Sequence, residues 1–492
     1  MTINRAMNIS LSGLKANQAA LNVVSHNIAN MNTEGYAKQR VNFAEVRSNP
    51  IDATVSGQIA SLSGVRVASI TTSANDYLNN YLRSQNSLYT GLLSDAESAS
   101  QLSDLMDALK GSGLGDSLSA FFDAANTLSQ NPTDYSLRIN FVEKAKAAAS
   151  KFNSTYNSVL GLKETKIGDG TAESIPSSQV GTFVNNLNSD LKSLANVNKQ
   201  LSANPSDASL KTQRDQLLAD ISSIAGVTTV ISSTGSASVT LGNTDLLQNG
   251  EVMGELNLTT SGTITFTSND GQVKDITADI KGGSLGGTLS GLTSINDALT
   301  SIDTLADAFA TLMNGIQTFS DGNDAAASYD RANDQLVLST EDLFTTSDGT
   351  GVFKAANLVI NDTVYNDPDL VAAARVDTSV AGWEKSVGNG DNAIEFYTSQ
   401  STKIPSLGYL TMGDYIISLS TKAALNAETK AKEAEAQGSI VEGIQNQILA
   451  ETGVNLDEEL ANMIMYQQAY NASARVFSAC VDVYDSLINL GK

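Results

Sequence analysis

One cysteine, Cys480, stands in 492 residues, which excludes an internal disulfide framework and a cysteine-based metal cluster. Histidine is equally scarce. His26 is the only one, so a metal site with several imidazole ligands is excluded and the HExxH pattern is absent. Trp383 is the single tryptophan and aromatics make up 6% of the chain, so its cores are expected to rest on Leu, Ile, Val and Ala. Basic residues are outnumbered, 30 against 53 acidic, for a net charge of −23. Such a surface repels nucleic acid and anionic membranes, and neither is expected as a partner. No run of 18 apolar residues offers a spanning helix. Near the start, Asn4, Asn8, Ser10, Ser12, Asn17 and Gln18 interrupt any apolar signal core, so no cleaved secretory signal is expected. An exported chain of this kind needs a route that reads something else.

Catalytic chemistry is also missing. The glycine cluster Gly282-Gly283-Ser284-Leu285-Gly286-Gly287 lacks GxGxxG spacing and a following Lys-Ser or Lys-Thr, and reads as a loop. Asp321-Gly322-Asn323-Asp324 begins like a calcium loop but has Ala325 and Ala326 where Asp or Asn and then Gly are needed. His26 lies in an amphipathic helix and reads as an interface residue, and Cys480 as a packed thiol. No catalytic, metal or cofactor-binding residue is assigned, no cofactor is expected, and the chain does not read as an enzyme.

What is present sits at the two ends. Within Met1–Met31, Met7, Leu14, Leu21 and Ile28 fall seven apart, and Ile3, Val24 and Met31 form a second row broken by Ser10 and Asn17. This is a heptad stripe on a rod of roughly 40–45 Å. Near the other end Leu456, Met463, Tyr470, Phe477 and Tyr484 are seven apart, with Leu460, Ala474, Val481 and Ile488 beside them and Gln467 as the polar exception. Residues 1–50 carry five basic against two acidic side chains, a net of +3; residues 451–492 carry two against six, a net of −4. Opposite signs favour encounter and register. Two readings stand: two helices packed on a central domain, or two helices kept for assembly.

Between the ends, Asn30 to Tyr36 stops the first helix, with Gly35 as the turn point. Arg40–Phe43 and Gly64–Val67 read as extended, with Asn49-Pro50 a loop between them. Helices are predicted over Asn75–Lys110, Ser117–Gln130, Asp134–Leu162, Ser178–Leu201 and Asp207–Ala225, punctuated by Gly111, Gly113, Gly115, Pro132, Gly168, Gly170, Pro176 and Pro205. Val227–Ile280 turns Thr-, Ser- and Val-rich, with Asn249-Gly250 and Asp270-Gly271 as hairpin signals. Leu292–Phe319 is helical, Asp330 to about Lys403 mixes strands and loops, and the chain is helical from Met412, broken near Thr452-Gly453. The fold class is therefore multidomain α+β. Residues 1–36 and 452–492 form paired coiled-coil helices, 37–226 and 406–451 a long-helix bundle, 227–291 a β-rich outer domain, and 292–405 a mixed outer region.

The string ISLSGLKANQAALNVVSHNIANMNTEGYAKQRV resembles the N-terminal signature of bacterial flagellar axial proteins, with marks at Leu14, Ala19, Leu21, Asn27-Ile28-Ala29-Asn30, Thr33, Gly35 and Tyr36. GVNLDEELANMIMYQQAYNASARVFSACVDVYDSLINL resembles their C-terminal signature, with marks at Asn455–Glu459, Tyr466-Gln467, Tyr470, Ala472–Arg475 and Leu487. Gly35–Val41 and the helical stretch after residue 75 are most similar to the hook-associated branch at the hook–filament junction. The resemblance implies a structural protein exported unfolded through the flagellar type III apparatus, without a cleaved signal, to the extracellular flagellum. It also implies terminal helices disordered in the monomer, and an assembly interface of Met7, Leu14, Leu21, Val24, Asn27, Ile28, Asn30, Gly35, Tyr36, Leu456, Leu460, Met463, Tyr470, Phe477, Val481, Tyr484 and Ile488. Implied partners are hook subunits, a second hook–filament junction protein, a cytoplasmic export chaperone on the C-terminal helix, and copies of itself in a ring of about eleven. Two alternatives remain at this point: another axial subunit (rod or hook protein), or a secreted acidic enzyme with flagellar-type ends and a site within 227–405.

Overall fold

Heptad spacing at both ends produces long helices in the structure, a computed structural model that describes residues 2–33, 36–47, 62–72, 76–107 and 113–490. The expectations at Gly35, Asn49-Pro50, Asn75, Lys110 and Gly111 lie outside those residues. Helix α1 covers Thr2–Ala29 and leads into strands β1 (Gln39–Arg47) and β2 (Leu62–Thr72), an antiparallel pair that matches Gln39 with Thr72. The helical body follows as α2 (Asp76–Asp107), α3 (Leu114–Gln130), α4 (Tyr135–Ile167), α5 (Gln179–Ala203) and α6 (Ala208–Ile224). Three of these starts have a local cause. Asp134, Ser178 and Asp207 cap α4, α5 and α6 by accepting backbone N–H bonds from their first turns.

The Thr- and Val-rich stretch folds into two small antiparallel sheets. One orders β3 (Val227–Ile231), β4 (Ala237–Leu241), β5 (Thr244–Gln248) and β6 (Glu251–Val252); the other orders β7 (Gly254–Leu258), β8 (Ile264–Ser268) and β9 (Val273–Asp275). Asn249 and Gly250 both have positive φ, 51° and 77°, which is the turn their dipeptide predicts between β5 and β6. Then comes α7, and it overturns the loop reading of the glycine cluster. The helix spans Gly283–Gln317, beginning well before Leu292. It runs against α2 so closely that a Cβ on Gly287 would lie 1.9 Å from the Gly91 carbonyl oxygen. The glycines there permit a backbone-to-backbone crossing. They do not open a loop.

Beyond α7 lie β10 (Ser320–Asp321), β11 (Asp324–Asp330), β12 (Gln335–Leu338), β13 (Phe344–Thr346), β14 (Leu358–Ile360), α8 (Asp362–Asn366), β15 (Ala374–Asp377) and α9 (Asp391–Thr398). The chain closes with α10 (Met412–Thr452) and α11 (Leu456–Leu490), interrupted at Gly453 as the sequence suggests. Two main cores result. The first joins the end of α2, α3, α4 and α7 to residues 343–416; the second joins α5, α6, the two small sheets and the start of α7. Composition alone pointed to aliphatic cores, but seven of the 13 phenylalanines meet in the first one. Phe121 stacks edge or tilted against Phe122, Phe141, Phe309, Phe344 and Phe396. A low aromatic total was concentrated rather than spread. Buried Arg138 ties this core to its outer segment, donating to the carbonyls of Pro132, Asp369 and Val371 at 2.6, 3.1 and 2.8 Å.

Candidate assembly interface at the chain ends

Antiparallel packing of α1 on α11 is fixed at two points. Asn27 near the end of α1 meets Glu459 in the first turn of α11, and a Cβ on Gly13 would lie 3.1 Å from Ser473 Oγ. The seam on α1 is made of small residues. The buried positions of α1 are Ser10, Ala16, Ala20, Val23, Val24 and Asn27, enclosed by α11 on one side and by the β1–β2 hairpin on another, where the Val65 N–H donates to Ser12 Oγ; Met7, Leu14, Leu21 and Ile28 are half-buried. On α11 the side turned to Ser473 carries half-buried Met463, Tyr466, Tyr470, Phe477, Cys480 and Val481. Leu456, Leu460, Tyr484 and Ile488 are exposed, as are Ile9 and Leu11 of α1. Phe43 of β1 meets Tyr466 edge-on at 6.2 Å, so the hairpin braces the pair from the side.

At the elbow between α1, β1 and α11 the polar groups converge. Asn27 is 1% exposed and uses its whole amide. Its Oδ1 accepts from the Tyr36 hydroxyl (2.7 Å) and the Gln39 N–H (2.9 Å); its Nδ2 donates to the Gln39 carbonyl (2.9 Å) and Glu459 Oε2 (3.0 Å). Since the Tyr36 proton goes to Asn27, His26, 2.9 Å away through Nδ1, must present an N–H there. Asn30 folds back to donate to the His26 carbonyl. Beside them buried Lys38 bridges Glu458 and Glu459, each at 2.9 Å, and its N–H donates to the Thr452 carbonyl. Asn455 caps α11 and presents that acidic turn.

The electrostatics follow the packing. Burial, with the Glu459 carboxylate nearby, pushes the Tyr36 phenol up to about 12. Burial works against the Lys38 ammonium, but its bonds to Glu458 and Glu459 outweigh it and hold the pKa above the ordinary lysine value. Lys38 in turn holds the exposed Glu458 carboxyl below its usual range. Nothing here is arranged to react. Among the described residues no group of three or more His, Cys, Asp or Glu could hold a metal, and no helix is long and apolar enough to cross a membrane. Sequence reasoning placed Asn27 and Tyr36 at this interface and missed Lys38, Glu459 and the small row Gly13, Ala16 and Ala20.

Three sequence families match the chain: flagella basal body rod protein over 7–36, the helical domain of flagellar hook-associated protein FlgK over 99–325, and the flagellar basal body rod FlgEFG C-terminal region over 445–490. The chain is similar to flagellar hook-associated protein 1 of Salmonella typhimurium (26% identity over 570 residues) and Escherichia coli (25% over 558), each match covering 98% of this chain and 99% of the relative. The Bacillus subtilis protein of that name is 25% identical over 517 residues, covering 97% and 96%. The flagellar hook junction protein FlgK of Burkholderia pseudomallei shares the fold, with a TM-score of 0.59 at 14% identity, over 75% of this chain and 99% of that one. A helix pair built from both chain ends, a helical body and inserted sheets thus define a bacterial flagellar axial protein. Such proteins are structural and not enzymes. Within that class the chain is similar along nearly its whole length to flagellar hook-associated protein 1.

Proposed function

We propose that this chain is the structural adaptor that joins hook to filament at the outside of the cell, after export in an unfolded state by the flagellar type III apparatus. Its partners in this reading are hook subunits, a second junction protein, an export chaperone on the C-terminal helix, and further copies of itself in a ring. The carrying observation is the terminal pair: α1 and α11 bury a narrow seam together yet leave Leu456, Leu460, Tyr484 and Ile488 exposed. An apolar helix face of that extent is what a subunit of a larger assembly retains. The seventeen interface residues named from the sequence are assigned to this role, with the half-exposed leucine row of α1 meeting neighbouring subunits. Residues 1–36 and 452–492 then act as the assembly domain, 37–226 with 406–451 as the body, and 227–291 and 292–405 as outward parts. A rod or hook subunit is the nearest alternative, since the chain ends match rod-protein families. The helical-domain match over 99–325 favours the junction.

Removal of residues 1–30 tests the reading. The expected product keeps the helical circular dichroism of the body, stays soluble and fails to restore filaments to a deletion strain. Restored filaments, or a collapsed body, would count against it.

A further inference from the structure

Arg83 of α2 is a buried cation, 7% exposed, that its own chain neutralises only in part. The carboxylate beside it, Asp215 of α6, has Oδ1 3.7 Å from Arg83 Nη1. That same oxygen already accepts from Arg214 Nε and Nη2, at 3.0 and 2.7 Å. One carboxylate oxygen thus serves two guanidinium groups. Arg83 Nη2 donates to Asn80 Oδ1, but Nε has no hydrogen-bond partner among the described residues. Burial pulls the Arg83 pKa below the ordinary arginine value; Asp215 opposes that shift, Arg214 adds to it, and exposed Asp76 opposes it again. An arginine keeps its charge even so, and a buried charge without a full partner is costly.

Arg83 forms part of the wall of a cavity of about 690 Å³ where α2, α6, α10 and the turn after α1 meet. Small-ligand sites span ~300–1,000 Å³, so the space is of the right size. Met31, Leu82, Ile448 and Leu449 make one part of the wall apolar, and Asn79 and Gln445 add amides. Asp220 is the one acid among the described wall residues; it is exposed and accepts from Gln216 Nε2 at 3.2 Å. Water screens an exposed charge far more than a buried one, so Arg83 sets the sign of the interior. We propose that this cavity binds a carboxylate group carried on a short apolar body, with Arg83 as its counter-ion. A carboxylate matches the planar fork of a guanidinium, and the carbon skeleton covers the apolar wall. A sulfate or phosphate leaves that wall unmatched and brings a second charge towards Asp220. The group can arrive on a free organic acid or as an Asp or Glu side chain of an adjoining protein subunit. The inference goes beyond the junction role and does not rest on it.

Isothermal titration calorimetry of the full chain tests the site, with 4-methylpentanoate as probe and 4-methylpentan-1-ol as its uncharged counterpart. Saturable binding of the acid is expected, with the alcohol weaker by about tenfold or more. Arg83→Gln should weaken the acid by a similar factor and leave the alcohol unchanged. Arg83→Lys keeps a positive charge beside Asp215 and loses the fork; it serves if the Gln variant does not fold, and should also bind the acid more weakly. Absence of saturable binding, equal affinity for the alcohol, or undiminished affinity in a folded Arg83 variant would overturn the site. Incorporation of the purified chain onto isolated hooks then separates the two sources. If the carboxylate belongs to an adjoining subunit, saturating acid slows incorporation and Arg83→Lys is slow without it. If it belongs to a free acid, incorporation is unchanged while binding persists.

Discussion

Asn27 satisfies both lone pairs and both N–H groups of its side chain inside the elbow, linking α1, β1 and α11 through one amide. Asn27→Ala strands the Gln39 backbone groups, the Tyr36 hydroxyl and one Glu459 oxygen in a buried site. A loss of ~2–4 kcal/mol in the stability of the terminal pair is expected. Hydrogen exchange reads it directly: α1 and α11 amides lose protection while those of α3 and α4 do not, and uniform loss across the chain would contradict a local role. The same elbow sets an alkaline limit. Tyr36 and Lys38 both have folded pKa values above their ordinary ones, so the stability they contribute is complete below pH ~10 and is lost as pH rises through the folded values. For Tyr36 that window runs from 10.0 to about 12. Tyr156 and Tyr329 are also raised, so the test is a difference: spectrophotometric titration of Tyr36→Phe should lose one tyrosine ionising at about 12 and leave the other late ones in place. Asn27 and Tyr36 were visible in the sequence because they sit in a dense local motif. The Lys38–Glu459 pair was not, because nothing local marks two charges so far apart in the chain as partners.

At the scale of elements, helical period and capping residues located most helices of the body to within a few residues, and turn dipeptides located the β5–β6 and β8–β9 hairpins. Two features escaped, each for its own reason. Pattern reading weights large apolar residues, so it found the leucine row of α1 and passed over Gly13, Ala16 and Ala20, which make the intrachain seam. The glycine run of α7 was read as a loop because glycine disfavours helix in isolation; tertiary contact with Gly91 overrides that preference. Two substitutions separate these effects. Gly315→Ala, in the same helix with nothing near its would-be Cβ, should stabilise by up to about 1 kcal/mol. Gly287→Ala should destabilise by ~1–3 kcal/mol through overpacking against α2. Thermal melts of the two variants moving in the same direction would contradict the crossing.

On the scale of the whole molecule, the terminal pair and the body have different tasks. The Phe121-centred core and the Arg138 bonds to the Asp369–Val371 segment give the body a core of its own. The termini hold a small-residue seam and keep further apolar rows uncovered, which suits a part completed by neighbouring subunits. The outer sheets were legible as β structure from composition, but their attachment was not: Leu285 and Leu292 of α7 reach into the second core, and no sequence signal joined that helix to α5 and α6. The central claim is that this chain makes the junction between hook and filament. Electron microscopy of a strain lacking the gene tests it most directly: the account predicts bare hooks with filament protein shed into the medium, and full-length filaments on otherwise normal hooks would contradict it.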